Sequence, residues 1–295
     1  MHDDDWLAER FEEQRPRLRA VAYRMLGSVS EADDALQDAW LRVSRAGADD
    51  VENLGGWLTT VVARVCLNML RARMTRREDP LDAHVPDPVV SPADALDPED
   101  EALLADGVGL ALLVVLETLG PAERLAFVLH DMFGVPFDEI AEMVDRSPDA
   151  ARQLASRARR RVQGRAPVPD PDLARQREVV DAFFAAARDG DFDRLVSVLD
   201  PDVVVRSDGG RARPRVTGVV RGAEVVAGEA LTYSRLAPYV QPALVNGAAG
   251  AVVAARGQIL SVMAFTVVDG RIAAIDALVD TFRLRALELP WLRAA

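Results

Sequence analysis

GPAERLAFVLHDMFGVPFDEIAEMVDRSPDAARQLASRARRRV, residues 120–162, decides how this chain is read. Ser147 can cap a helix through its hydroxyl, and Pro148 suits a first helical position. Ala151, Leu154, Ala155, Ala158 and Val162 recur on one apolar stripe. The opposite side carries Asp149, Arg152, Gln153, Ser156 and Arg160, with Arg157, Arg159 and Arg161 nearby. Upstream, Pro121 opens one helical pattern, Gly134 breaks it, FDEIAEMV makes a short second one, and Asp145-Arg146 turns the chain into the third. This is the order of a helix-turn-helix, whose last helix enters the DNA major groove and reads bases with its first residues. The alternative is a solvated basic helix on an ordinary all-helical domain. Cap, turn, short partner helix and arginine face together favour the first.

Composition bounds the rest. The 295 residues allow two or three domains with their own cores. The single cysteine, Cys66, lies among apolar helical neighbours, as a buried structural thiol does. No apolar run reaches membrane-spanning length and the start, MHDDDW, is acidic, so a cytoplasmic protein with no membrane contact is expected. A net charge of −12 argues against nucleic acid only if charge is evenly spread. It is not: all 35 basic side chains are arginine, and many fall in two blocks.

Residues 6–26 read as an amphipathic helix with Leu7, Phe11, Leu18, Val21, Ala22 and Met25 as core positions, ended by Gly27. Ser30 with Asp33 suggests a capping box for EADDALQDAWLRV. That helix buries Leu36, Ala39, Trp40 and Val43 and offers Asp33, Asp34, Gln37 and Asp38 on its other face, by itself only a solvated surface. After a break at Gly55-Gly56 comes WLTTVVARVCLNMLRARMTRR, with Leu58, Val61, Val62, Val65 and Met69 at helical spacing. Thr60, Arg64, Asn68, Arg71 and Thr75 line its opposite side, and Arg73, Arg76 and Arg77 extend the charge. Five arginines between 64 and 77 exceed what complementing the helix dipole requires, which points to a phosphate-contacting surface. Trp57, at its start, is a core residue or a platform for an unpaired base.

These three segments, in this order, resemble the extracytoplasmic-function (ECF) sigma factors of RNA polymerase. EADDALQDAW is similar to the family's polymerase-binding helix, usually Asp-Ala-Glu-Asp-Leu-x-Gln-Glu-x-Phe. Here Glu31 and Asp33 exchange acidic types, Asp38 replaces Glu and Trp40 replaces Phe. The arginine helix resembles the promoter-melting helix, with Asn68 where aspartate is common, and the helix-turn-helix resembles region 4. The resemblance implies that Asp33, Asp34, Gln37 and Asp38 dock on the polymerase core. It implies that Trp57, Arg64, Asn68, Arg71, Arg73, Arg76 and Arg77 face the −10 element. At the −35 element it gives Asp149, Arg152, Gln153 and Ser156 base edges to read, and Arg157, Arg159, Arg160 and Arg161 phosphates to hold.

Residues 78–106 carry ten acidic residues and no arginine, with Pro80, Pro86, Pro88, Pro92 and Pro98 keeping the first part extended. This is either a solvated tether or, as the resemblance implies, a linker that threads basic channels of the polymerase. His84 has no second histidine or cysteine at ligand spacing, so it reads as incidental and no metal or cofactor is expected. A helical pattern resumes at 105–119, and GRAPVPDPD, 164–172, is a short stiff spacer.

From Leu173 the pattern changes to two helices, then β-branched runs at VVV (203–205), VTGVV, YVQPALV, AVVAA, ILSVMAFTVV and IAAIDAL, with a helix inserted near 222–231. Two helices on a curved antiparallel sheet make an α+β layout. AARDGDFDRLVSVLDPDVVV resembles the SnoaL-like, ketosteroid-isomerase type of cone-shaped fold, and the whole order resembles the sigma J-type group. Asp208-Gly209-Gly210-Arg211 is similar to that group's regulatory Asp-Gly-Gly-Gly loop, and VDTFRL, 279–284, is a diverged form of its second motif. The expected organisation is two all-α sigma domains, 1–77 and 107–163, an acidic linker at 78–106, a spacer at 164–172 and a regulatory α+β domain at 173–295. That last domain would touch the sigma domains in cis. Two other functions stay open, a free-standing operator-binding regulator and an enzyme of the isomerase fold. Asp202, Asp208, Tyr233, Tyr239, Asp276 and Asp280 are the available acid–base groups, none of them an evident pair, so catalysis is not expected.

Overall fold

The computed structural model describes residues 2–47, 51–75, 83–94, 109–164, 167–287 and 289–292. The chain divides into two compact units: Met1–Asp79 with Val115–Arg165, and Pro80–Val114 with Ala166–Ala295. The first unit therefore holds the first sigma-like segment and the second from Val115 onward, while residues 80–114, which include most of the acidic linker, belong with the carboxyl-terminal third.

In the first unit, α1 (His2–Leu26) stops at Gly27, whose φ of 72° suits a residue without Cβ. All six of its expected core positions are buried. The cap of α2 (Val29–Ala46) is Ser28 rather than Ser30. Leaving Gly27, the chain is extended at Ser28, which puts its hydroxyl in place to accept from the Glu31 N–H at 3.4 Å; Ser30 is already inside the first turn. Likewise α3 (Leu54–Thr75) runs through both glycines instead of starting after them. Asn53 accepts from the Gly56 N–H at 3.0 Å, satisfying one of the amide donors that a helix start leaves unpartnered, and the Thr59 and Thr60 hydroxyls add bonds to the Gly55 and Gly56 carbonyls at 2.8 and 3.0 Å. Leu58, Val62, Val65 and Cys66 turn into the core. Burial pushes the Cys66 thiol up to about 12, so it stays a protonated apolar filler.

After α4 (Leu110–Glu117), α5 (Pro121–Phe127) continues into one wide π turn, Val128–Met132. Gly134 (φ 70°) ends that run before α6 (Phe137–Val144). Asp145, in the left-handed region at φ 54°, turns the chain to α7 (Pro148–Gln163), where Ser147 accepts from the Ala150 N–H at 3.2 Å as its sequence suggests. Ala151, Ala155 and Ala158 are buried and let α7 sit close on α5 and α6. The part of the 105–119 pattern before residue 109 lies outside the described residues.

In the second unit, α8 (Leu173–Asp189) and α9 (Phe192–Val198), capped by Asp172 and Asp191, pack on a seven-stranded sheet. Its strands are β1 (Val90–Pro92), β2 (Leu199–Asp208), β3 (Gly218–Arg221), β4 (Val240–Val245), β5 (Ala248–Ala255), β6 (Gln258–Val268) and β7 (Arg271–Leu278), in spatial order β1-β4-β5-β6-β7-β2-β3. Helix α10 (Ala223–Thr232) is inserted after β3, and α11 (Thr281–Arg285) follows β7. Six strands and the inserted helix match the expected runs. The sheet is mixed rather than wholly antiparallel, because the β4–β7 meander returns β7 alongside β2 in the same direction. Asn246-Gly247, Arg256-Gly257 and Asp269-Gly270 make its hairpin turns, with both residues of each at positive φ. The core beneath the sheet centres on Phe183, Leu195, Val203, Val226, Phe265 and Ile275. The first strand, supplied by the linker, was not expected.

Candidate functional site

On α2, Ala32, Ala35, Leu36, Ala39 and Val43 are buried, which leaves Asp33, Asp34, Gln37 and Asp38 together on the exposed face. Trp40 is half-buried and leans on Phe11, ring centroids 5.1 Å apart. Two of the acids have partners: Arg19 grips both Asp33 oxygens at 2.7 and 2.9 Å, and Arg42 reaches Asp38 at 2.8 Å. Asp34 and Gln37 project beside them.

On α3, Arg64, Asn68 and Arg71 are exposed on one stripe, and among the described residues Arg64 and Arg71 have no ion-pair partner. Arg73 is different. It donates to the Leu26 carbonyl at 3.1 Å and pairs with Glu31, tying the end of α3 to the α1–α2 corner. Trp57 is half-buried on the first turns of the helix. Arg76 and Arg77 lie outside the described residues.

On α7, Asp149, Arg152, Gln153 and Ser156 share the exposed side of the first two turns. Asp149 holds Arg152 at 2.5 Å, and the Arg152 guanidinium lies over the Phe137 ring, 5.7 Å from its centroid. Of the four arginines expected at phosphate, three are paired inside the unit. Arg159 reaches Asp131 at 2.5 Å, Arg161 reaches Glu123 at 3.0 Å and Arg157 reaches the same carboxylate at 3.6 Å. Arg160 is exposed, with no ion-pair partner among the described residues. The arginine ends of these pairs are about half exposed while Glu123 and Asp131 are mostly covered, and pairs with one exposed partner contribute little to stability. Sequence reasoning missed Arg124, which is 3 % exposed and donates to the Leu116 and Met25 carbonyls at 2.7 Å each. Burial brings its guanidinium down to about 10, partly offset by Glu117 and reinforced by Arg73. Its signal in the sequence, an arginine inside the apolar run of PAERLAF, resembles a surface residue.

The described part of the linker makes a polar site with the second unit. Val90, Ser91 and Pro92 pair antiparallel with Val245, Leu244 and Ala243 at the free edge of β4. Asn246 closes that register: its N–H donates to the Val89 carbonyl at 2.8 Å, and its side-chain oxygen accepts from the Val89 N–H at 3.1 Å. Asp208, 2 % exposed, accepts from the Val85 N–H at 3.1 Å and faces His84 Nδ1 at 2.9 Å. Arg283 completes the clamp, reaching Asp208 at 2.9 Å, Asp87 at 2.5 Å and the Val85 carbonyl at 2.6 Å. Burial alone would raise the Asp208 carboxyl, but bonds from His84, Val85 and Gly210 bring it down to about 2. His84 is thus a contact residue, not an incidental one, and residues 83–94 are no free tether.

The loop expected to be regulatory is part of this clamp. Gly210 donates to Asp208 Oδ1 at 3.0 Å, and a Cβ on Gly210 would sit 1.8 Å from Asp280 Oδ2, so the loop can close on α11 only with glycine there. Asp280 in turn caps α11, accepting from the Phe282 and Arg283 N–H groups at 2.7 and 3.4 Å. Asp208 and Arg283 come from the two sequence motifs of the resemblance, and the fold unites them. Arg211 is exposed. Asp276 is buried against Arg206 at 2.8 Å, and burial raises its carboxyl despite that partner. Of the six acid–base candidates only Tyr233 lines the cavity under the sheet. Asp208, Asp276 and Asp280 face the clamp side, and Asp202 and Tyr239 are exposed.

Family comparison covers both halves of the sigma-like region. A model of sigma-70 region 2 matches residues 10–76, and one of sigma-70 region 4 matches residues 109–162. The ECF RNA polymerase sigma factor SigJ of Mycobacterium tuberculosis is 41% identical over 279 residues, 90% of this chain and 89% of SigJ. The probable ECF sigma factor SigI of the same species is 36% identical over 291 residues, 97% of this chain and 98% of SigI. The crystal structure of M. tuberculosis SigJ superposes with a TM-score of 0.76 at 37% identity, covering 96% of this chain and 99% of that one.

Proposed function

This chain belongs to the ECF RNA polymerase sigma factors, and from that premise we propose how its surfaces divide the work of transcription initiation in the cytoplasm. The exposed α2 face, Asp33, Asp34, Gln37 and Asp38, docks on the polymerase core, where complementary charge sets register and encounter rate. The exposed stripe of α3, with Trp57 at its start, meets the −10 element. Arg64, Asn68 and Arg71 do most of that work, with Arg76 and Arg77 adding charge in the sequence just after them; Arg73 mainly holds the corner. Helix α7 reads the −35 element with Asp149, Arg152, Gln153 and Ser156, and holds phosphates with Arg160 and, once their internal pairs exchange, with Arg157, Arg159 and Arg161.

The carboxyl-terminal domain regulates this in cis through the linker. The observation that carries the reading is the clamp: Asp208 and Arg283 hold Val85 and Asp87 while β1 occupies the sheet edge. A linker held there is withheld from the polymerase channels that the family's linkers thread. Run-off transcription with purified core polymerase tests both parts. Charge reversal at Asp34 and Asp38 abolishes holoenzyme formation, and a mutant that still assembles normally sinks the docking assignment. Arg283→Ala frees the linker and raises transcript yield severalfold, as does cutting the chain after Val162. Yields indistinguishable from the intact protein in both cases would remove the regulatory reading.

A further inference from the structure

The α+β unit encloses a cavity of about 480 Å³ that none of the functions above uses. That volume lies in the range of small-molecule sites. Its walls are Phe183 and Phe184 of α8, Ala230 of α10, and Val205, Met263 and Ile275 of the strands. At the rim of this apolar interior are two arginines, Arg213 and Arg215, on the exposed loop before β3, with Glu229 and Tyr233 nearby on and after α10. Among the described residues neither guanidinium has an ion-pair or hydrogen-bond partner. The charged lining is therefore net positive. An apolar chamber with two unpartnered arginines at its rim suits a molecule with an apolar body and one anionic group.

The same strands carry the linker clamp on their other side. Side chains alternate across a strand, so Val205, Ser207, Ile275 and Ala277 line the cavity while Arg206, Asp208 and Asp276 do not. Two connections cross from one side to the other. Val279, a cavity residue, donates its N–H to the Asp208 carbonyl at 2.8 Å and is followed directly by Asp280, which caps the helix bearing Arg283. The loop leaving Asp208 is also tightly packed on the cavity rim: a Cβ on Gly209 would meet the Arg213 carbonyl at 2.4 Å and Val216 Cγ2 at 2.8 Å. Fixing Arg213 and Val216 therefore constrains the backbone at Asp208-Gly209.

We propose that the cavity binds a small apolar organic anion, a carboxylate or sulfonate on an aromatic or acyl body, and that its occupancy tightens the linker clamp. The coupling to transcription rests on the regulatory reading above; the binding does not. The test uses the full chain with anilinonaphthalene sulfonate as fluorescent probe and dodecanoate and dodecanol as competitors. Dodecanoate displaces the probe at about tenfold lower concentration than dodecanol, the ratio for one charge-assisted contact. The double variant R213A/R215A, altered only at exposed positions, loses that advantage and keeps its affinity for dodecanol. Ser261→Trp, or Ala230→Phe if the first folds poorly, fills the chamber and weakens both competitors. Equal displacement by the two competitors, or equal probe binding by intact and filled chains, overturns the site. Hydrogen exchange over residues 84–92 slows when dodecanoate is saturating; unchanged exchange with demonstrated binding overturns the coupling. If Arg283→Ala leaves transcription unaltered while dodecanoate still displaces the probe, the regulatory reading fails and the binding site stands.

Discussion

Two buried charges show what single residues contribute. Arg124 satisfies the carbonyls of Met25 and Leu116, groups that the ends of α1 and α4 leave without a partner inside their own helices. Arg124→Met keeps much of the volume, leaves the Met25 carbonyl without its donor and the Leu116 carbonyl with only the Leu119 N–H at 3.1 Å, so it should cost about 1–3 kcal/mol. In calorimetry of the full chain the transition of the first unit should fall by several degrees; a shift under one degree would mean the carbonyls find water instead. Asp208 gives a pH signature. Its carboxyl sits at about 2, below the ordinary value of 3.8, so the clamped state binds fewer protons than the released one between those values. The stabilisation is fully present above about pH 4 and is lost as pH falls through about 2. Thermal unfolding of the intact protein and of Asp208→Asn should differ at pH 7 and converge toward pH 2. A difference that persists undiminished there would assign the effect to packing rather than charge.

Helix α7 separates reading from holding. Arg152→Ala should change which bases are preferred at the −35 element, at a cost of about 1–3 kcal/mol on the best sequence. Arg160→Ala should weaken every promoter alike and reduce the slope of log K against log salt by about one. Binding titrations on a promoter panel at several salt concentrations distinguish the two; identical profiles would refute the assignment. This element was legible because its cap, Pro148, alanine stripe and arginine face lie within one stretch of sequence. Core positions of α1 were readable for the same reason, since they are specified by near neighbours. What escaped was non-local. Val90–Pro92 is a short run among prolines, and Val89 meets Asn246 157 positions away. His84, Asp87 and Arg283 each look ordinary until the fold brings them to Asp208. Arg73 and Arg159 carry the charge expected of DNA contacts but spend it on Glu31 and Asp131, which no spacing rule reveals.

At the scale of the molecule, a chain of net charge −12 that keeps most of its helix-turn-helix arginines paired has little free positive potential. Gel shifts should show weak, salt-sensitive binding by the free protein and selective binding once core polymerase is added; tight selective binding without polymerase would contradict this. The acidic linker reads in the sequence as the most dispensable segment, and its strand gives it another role. β1 covers β4, which otherwise presents its unpaired N–H and carbonyl row to any passing strand. The segment that polymerase would need is therefore also the guard of the sheet's open border. Each time the linker leaves, that border becomes adhesive, so release carries a risk of self-association. Replacing Val90–Pro92 with glycine and serine in the full chain should make its sedimentation mass rise with concentration beyond that of the unaltered protein.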